Sequence, residues 1–417
     1  MISSANGKKS LEGKQCPTCK VDGTLCPRCD AYRCLPQWAW LQAFITFVYG
    51  VPYPGQKPLF KNTRASILFT HYLMLFGSVG ASCVLICLWF HAAAMRPLLF
   101  VAIVAAGMVT TGRLRACRHF ILHHASHGDF GPASRVVGEV ATLIAGNVPL
   151  DDYKPKHEKH HNDTAEEDDP ELVALSKIGF VPGLMVNDYW KRLRVVMLSP
   201  WFFFLHLKGR LDSNFSRTLP LWRRVVFGVM HGVPPLVVGA LSYRYASPVP
   251  IAVYLGAWLL PWTVGTYWSQ IPYTLGLHMW WLPTAGGRAG YVERTGARFF
   301  GDPCPSLDLP FLRRCFAWGW WLARFLMLHL LVSKLFIVSG DNQTHDAHHM
   351  NPRRGFDWLN SVFDRQRLVE TSHDAYWHTW SFFPAIQKSF ELMSSLPPRL
   401  KAARSGSEVK EAFAELE

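Results

Sequence analysis

The stretch SILFTHYLMLFGSVGASCVLICLWF, Ser66 to Phe90, runs for 25 residues without a formal charge. About 20 apolar residues in a helix cross the roughly 30 Å hydrocarbon core of a bilayer, so this segment is long enough to be a membrane span and too uniformly apolar for the surface of a soluble helix. Moving outward, Pro97 to Gly112 is likewise uncharged, and the short Ala94-Met95-Arg96-Pro97 link makes the pair a helical hairpin over about residues 66–91 and 97–115. Val225 to Tyr243 and Tyr245 to Gly287 repeat the pattern, the latter with His278 as its only histidine. A second hairpin is therefore expected over about 225–243 and 249–270.

The formal charge is +13, with 43 Lys and Arg against 30 Asp and Glu. The excess lies between the apolar runs, as in cytoplasmic loops, which argues against nucleic acid as the partner. The two short inter-span loops hold one Arg each, Arg96 and Arg244, and are assigned outside. Both termini then fall in the cytosol. No cleavable signal peptide is expected, because the first fifteen residues are polar. Several of the 17 Trp (Trp89, Trp258, Trp262, Trp268, Trp280, Trp281) sit near the ends of apolar runs, where an amphipathic ring suits the headgroup zone.

The Cys315 to Val338 segment is apolar enough to suggest a fifth span. Arg324, His329 and Lys334 make a free crossing costly, so it is expected to be interfacial or re-entrant. An aromatic-basic stretch, Lys191 to Leu211, is expected to form one interfacial helix, and residues 35–55, broken at Val51-Pro52-Tyr53-Pro54, to lie on the membrane. The expected division is a Cys-rich head over 1–34, a membrane domain over 35–395 and a charged, solvated tail over 396–417. The fold class is all-α integral membrane: four transmembrane helices in two hairpins and a cytosolic cap of helices.

Three histidine clusters adjoin these runs: His123-His124-Ala125-Ser126-His127, His157-Glu158-Lys159-His160-His161 and His345-Asp346-Ala347-His348-His349. With 18 His in the chain, an HxxHH pattern should arise by chance only about 0.03 times, yet it occurs twice. Spacings of three and four place each set of rings on one helical edge. Eight imidazoles exceed what one four-coordinate site uses, which points to two metals, and imidazole suits Fe, Zn, Cu and Ni alike. All three clusters must share one membrane face to serve one centre, and four spans achieve that. His71, His91, His206, His231 and His329 stand alone and read as packed or hydrogen-bonded rings, while His373 and His378 lie in a polar stretch beyond the third cluster.

His-x-Ala-Ser-His-Gly at 123–128, His-x-x-His-His followed by Asn162-Asp163-Thr164, and the final His-Asp-x-His-His resemble the histidine boxes of membrane fatty acid desaturases and their hydroxylase relatives, over about residues 60–360. The resemblance implies a non-haem di-iron centre, O2 as co-substrate, a lipid or fatty acyl substrate, and two electrons from a cytochrome b5, ferredoxin or rubredoxin type of donor. It assigns His123 and His127 to the first box, His157, His160 and His161 to the second, His345, His348 and His349 to the third, and His278 as a further ligand just past the fourth span. Where relatives carry an acid after the first box His, His124 stands here, and His119 with His123 is an alternative first box. His119 and His127 lie about 12 Å apart along a helix axis and cannot serve one ion together. The segment between His278 and His345 is longer than usual and is expected to reshape the substrate entrance rather than the chemistry. Asp168, Asp169, Asp341 and Glu158 are candidates to orient the rings, and the reacting C–H bond is expected in an apolar pocket between the spans. Desaturation is the leading reaction, an alkyl or isoprenoid hydroxylase the alternative, and a metal transporter or sensor the reading from another class.

Cys16, Cys19, Cys26 and Cys29 form two CxxC knuckles with Cys34 nearby. Paired thiolate knuckles fit a structural zinc cage, and the same S4 set accepts a rubredoxin-like iron.

Overall fold

The computed structural model describes residues 25–280, 288–340, 342–352, 357, 359–371, 376, 378–397 and 405–416. In chain order its helices are α1 (Pro27–Cys34), α2 (Ala39–Tyr49), α3 (Arg64–His91), α4 (Ala93–Ser126), α5 (Ser134–Ala145), α6 (Leu150–Asn162), α7 (Pro170–Lys177), α8 (Val186–Leu198), α9 (Pro200–Phe215), α10 (Leu221–Arg244), α11 (Val249–Leu277), α12 (Arg288–Thr295), α13 (Phe311–Ile337), α14 (His345–Met350), α15 (Ser361–Thr371), α16 (Phe382–Ser395) and α17 (Gly406–Leu416). Five of these, α3, α4, α10, α11 and α13, are long and apolar enough to cross a bilayer. The chain is a largely helical membrane protein.

The long helices start and pack for local reasons. A capping box opens α3: Ser66 N–H donates to Thr63 Oγ1 at 3.1 Å, and Thr63 N–H donates to Ser66 Oγ at 2.9 Å. Its outward side chains Phe69, Leu73 and Phe76 are exposed, as lipid-facing residues must be, while every mid-helix backbone group is satisfied within the helix. The α3 and α4 spans meet through a Ser78–Thr110 hydroxyl pair at 2.9 Å. Gly112 brings α4 against the backbone of α13, since a Cβ there would stand 1.6 Å from the Leu335 carbonyl oxygen. At Gly265 the α11 backbone lies against the side chain of Thr111 of α4.

The α4 helix runs on into the first His cluster. A π-helical stretch at Cys117–Leu122 leads directly into His123–Ser126, and Gly128, at φ +79°, ends the helix. No atom lies within 4 Å of a Cβ at Gly128, so its role is conformational.

Several expectations change. A short parallel pair, β1 (Ala297–Phe299) and β2 (His378–Trp380), interrupts the all-α pattern, in register Ala297↔His378 and Phe299↔Trp380. Lys191 to Leu211 is split between α8 and α9, because the Ser199-Pro200 step takes Ser199 out of helical conformation (ψ 121°) and makes it the cap of α9. The end of the chain is not solvated throughout: Val409, Ala412 and Phe413 of α17, spaced three and four apart, join a buried core with Leu172 of α7 and Leu205 of α9. Cys315 to Val338 forms most of one 27-residue helix. The face of α13 bearing Trp321 and Phe325 packs against Ala31 of α1 and Ile45 and Tyr49 of α2, and Asp302 binds both Arg324 (2.7 Å) and His329 (2.8 Å).

Candidate metal centre

Helix geometry divides the histidines in a way that spacing alone does not reveal. The α6 helix passes between two groups, giving His157 and His161 to one and His160 to the other. In the same manner α14 gives His348 to one, and His345 and His349 to the other. The first group is His123, His127, His157, His161 and His348. The second is His160, His278, His345 and His349. Within each, one nitrogen per ring lies within 4.8 Å of all the rest. All nine histidines singled out from sequence are thereby brought together, His278 included.

The contacts inside the first group do not form a hydrogen-bond network. Nε2 of His157 is 3.1 Å from Nε2 of His127 and 3.0 Å from Nε2 of His161, which is 3.3 Å from Nε2 of His348. Nε2 of His348 also touches that of His123. A neutral imidazole nitrogen holds either one proton or one lone pair, so a nitrogen facing two others cannot satisfy both. Ligand–metal distances of about 2.1 Å put neighbouring ligand atoms about 3 Å apart, so a central ion accommodates all five lone pairs. In the second group, Nε2 of His345 and His349 are 2.9 Å apart, while both ring nitrogens of His278 and Nε2 of His160 are buried without a hydrogen-bond partner. Such buried, unpaired ring nitrogens call for a partner. The donor set fits two metal ions held by imidazole.

The outward nitrogens of His160 and His349 are held by named partners. Asp169 accepts from His160 Nδ1 at 3.0 Å and also from the backbone N–H of Ala165 and Glu171, which fixes it at the start of α7. His349 Nδ1 lies 2.8 Å from the Tyr291 hydroxyl and 3.1 Å from Thr164 Oγ1, and Tyr291 donates in turn to the His161 carbonyl at 2.8 Å. One phenol thus ties the second cluster to the third. Asp346 receives Arg365 at 2.8 Å and is fully buried.

Of the proposed orienting acids, Asp169 occupies that position. Asp168 and Glu158 are exposed, Glu158 facing Lys154 at 3.8 Å, because they sit on the outer side of the turn and of α6. Asp341 lies outside the described residues. Sequence reasoning missed Tyr291, Thr164 and Asp129, the last 2.7 Å from His124 Nδ1. Tyr291 comes from the long segment after His278, so that segment reaches the ligands themselves. The His-x-x-x-x-Asp spacing of His124 and Asp129 is too common to signal anything alone. Neither His124 nor His119 belongs to a group: His119 Nε2 faces Arg115 (3.2 Å) and Gln270 (3.3 Å).

The remaining rings behave as isolated histidines should. His71 meets Cys117 Sγ, His231 meets the Leu143 carbonyl, and His206 packs on Tyr267. His378 packs at a tilt against Phe299 and belongs to neither group, and His373 lies outside the described residues. Cys16 and Cys19 are also outside them, while Cys26, the N-cap residue of α1, and Cys29 within α1 are both buried.

Burial, reinforced by neighbouring imidazoles, holds His157, His161, His278, His345, His348 and His349 well below the ordinary histidine pKa, and pulls His127 down to about 4. The rings are neutral at pH 7, as metal ligation requires. Burial also acts to lower His160, but Asp169 and Glu171 outweigh it and raise the ring to about 9.

A hollow of about 280 Å³ reaches His348 between Thr344, Ala347, Ser361 and Arg367. Ser361 also borders an apolar hollow of about 410 Å³ lined by Trp40, Phe44, Phe47, Leu59 and Phe60. The apolar space therefore lies beside α2. Between α4 and α11, Arg115, Arg118 and Gln270 line a small cavity. Compared with protein-family models, curated proteins and solved structures, the chain gives no match.

Proposed function

We propose that the chain is a membrane-bound di-iron oxidoreductase that uses O2 to oxidise an unactivated C–H bond of a lipid chain, with desaturation as the outcome. The observation that carries this reading is the pair of buried imidazole groups, five rings beside four, adjoining apolar helices. Five nitrogen donors exceed the four of a structural zinc site, and donors in pairs of adjacent groups suit a two-metal centre. Iron bound there would supply O2 activation with two electrons from an external donor. The chain's own residues hold the ions through the nine rings, fix ring orientation through Asp169, Tyr291 and Thr164, and exclude water by burial. The apolar hollow bordered by Phe44, Phe47 and Phe60 suits an alkyl chain, and its shared Ser361 leads toward His348.

The same proposal includes four spans, α3, α4, α10 and α11, with the histidines and both termini on the cytosolic side. The polar surroundings of α13 support its exclusion: Arg28 and Asp30 of α1 lie beside its packing partners, and Arg324 and His329 share Asp302 partway along it. A helix with that side against α1 is better suited to the interface than to the hydrocarbon.

The test joins metal analysis to product analysis. Anaerobic reconstitution should give about two irons per chain, and cells making the protein should accumulate a lipid lacking two hydrogens. A lipid that has gained one oxygen instead would assign hydroxylation. Less than one iron per chain, with function retained in His160→Ala, would overturn the reading.

A further inference from the structure

Among the described residues, one further set of metal-ligating side chains converges away from the histidines. The ligand atoms of Asp30, Cys34 and Cys304 all lie within 4.8 Å of one another. Asp30 and Cys34 belong to α1, and their spacing of four puts them on one face of that helix. Cys304 reaches them from the segment between β1 and α13, 274 residues beyond Asp30. One carboxylate touches both cysteines: Asp30 Oδ2 accepts the backbone N–H of Cys304 at 2.6 Å, and Oδ1 lies 3.8 Å from Cys34 Sγ.

The spacing is that of ligands around an ion. Bonds of about 2.3 Å to sulfur and about 2.1 Å to oxygen set neighbouring donors about 3.6–3.8 Å apart on a tetrahedron. Thiolate and carboxylate are both donors that Zn2+ accepts, whereas a disulfide would use the two sulfurs alone. The cluster is also separate from the CxxC pairs. Cys29 is turned about 100° round the helix from Asp30, is fully buried and does not belong to the group, while Asp30, Cys34 and Cys304 are each half-buried and open to an ion from solvent.

The segment that carries Cys304 is the one that holds α13. Two residues earlier, the Asp302 carbonyl accepts from the Tyr49 hydroxyl at 2.9 Å and from Trp321 Nε1 at 3.2 Å, and the Asp302 carboxylate binds Arg324 and His329. We propose that Asp30, Cys34 and Cys304 hold one Zn2+ ion, its fourth position taken by solvent, and that this ion ties α1 to the segment anchoring α13. Binding releases the two thiol protons to solvent and breaks no other bond.

The full chain, purified anaerobically in detergent with a phosphine reductant and stripped by a chelator, is titrated with Co2+ as a stand-in for Zn2+. Sulfur-to-cobalt charge transfer absorbs in the near ultraviolet, where imidazole complexes contribute little, and Zn2+ added afterwards should bleach the band. Cys304→Ser should lower the saturated absorption by the equivalent of two thiolates, because Cys34 loses the ion with it, while cysteines elsewhere contribute equally to both samples. Asp30→Asn keeps an acceptor for the Cys304 N–H but removes the carboxylate, and should weaken this component about tenfold or more. In crystals of the unaltered chain given Zn2+, anomalous scattering should place a peak among the three side chains, which keeps the test decisive where a variant fails to fold. Absorption unchanged or reduced by one thiolate only in Cys304→Ser, Asp30→Asn binding like the parent, a band that Zn2+ does not bleach, or a Cys34–Cys304 disulfide in place of the zinc peak overturns the proposal. None of the nine histidines takes part, and iron content and lipid products are read separately, so this outcome is independent of the oxidoreductase reading.

Discussion

His349 shows what each ring needs beyond its own lone pair. Its Nε2 faces the second group, while Nδ1 is held by Tyr291 and Thr164, and loss of such a partner typically costs ten- to a hundredfold in metal affinity. Tyr291→Phe should therefore release one of the two ions about tenfold more readily to a chelator, the other being unaffected. Equal loss of both ions would contradict the division into two groups. Proton linkage acts at the same scale. In the metal-free chain, the six rings held well below their ordinary value stay neutral when the unfolded chain, with histidines near about 6.5, takes up protons. Their contribution to stability is complete above that value and falls steadily below it. His160 has the opposite sign: raised to about 9, it stabilises below about pH 6.5 and loses that contribution as pH rises toward 9. The six outweigh the one, so the unfolding midpoint of metal-free protein should drop as pH falls from 7 to 5. A midpoint that rises over this range would mean that the rings are charged when folded.

At the scale of elements, the site depends on where helices touch. The α4–α13 contact at Gly112 leaves no room for a side chain, because the obstacle is the Leu335 carbonyl and not a movable side chain. Gly112→Ala should cost about 3 kcal/mol or more and lower the unfolding midpoint in detergent, whereas Gly77→Ala, with nothing within 4 Å, should be near neutral or slightly stabilising. The last helix is a second case. Phe413 is fully buried between α7 and α9, and Phe413→Ala should cost about 3–4 kcal/mol. A change under about 1 kcal/mol would mean that α17 undocks freely.

For the whole molecule, the side of the membrane reached by the chain after α13 distinguishes four spans from five, since a fifth crossing by Phe311–Ile337 would carry everything beyond it to the other side. An epitope fused after Glu417 should be protected in sealed cells, while one inserted after Ser247, between α10 and α11, should be accessible from outside. Both tags accessible would make α13 a span.

Uncharged length alone made the two hairpins legible, because a span satisfies its own backbone and needs no distant partner. Eight of the nine grouped rings were legible from the spacing of the three histidine clusters, and His278 came from the family resemblance. How those rings divide was not, because α6 and α14 each serve both groups and only their crossing decides which ring faces which. Tyr291, Thr164 and Asp129 were invisible for a related reason: a hydroxyl or carboxylate acquires its role from a neighbour far away in sequence, and its own residue type carries no mark of it. The break at Ser199-Pro200 could have been read from the proline. The docking of α17 could not, since burial of Phe413 follows from helices packing together. Local chemistry and periodicity reside in the chain itself, whereas burial, pairing and the second nitrogen of each histidine are set by contacts that exist only once the helices have met.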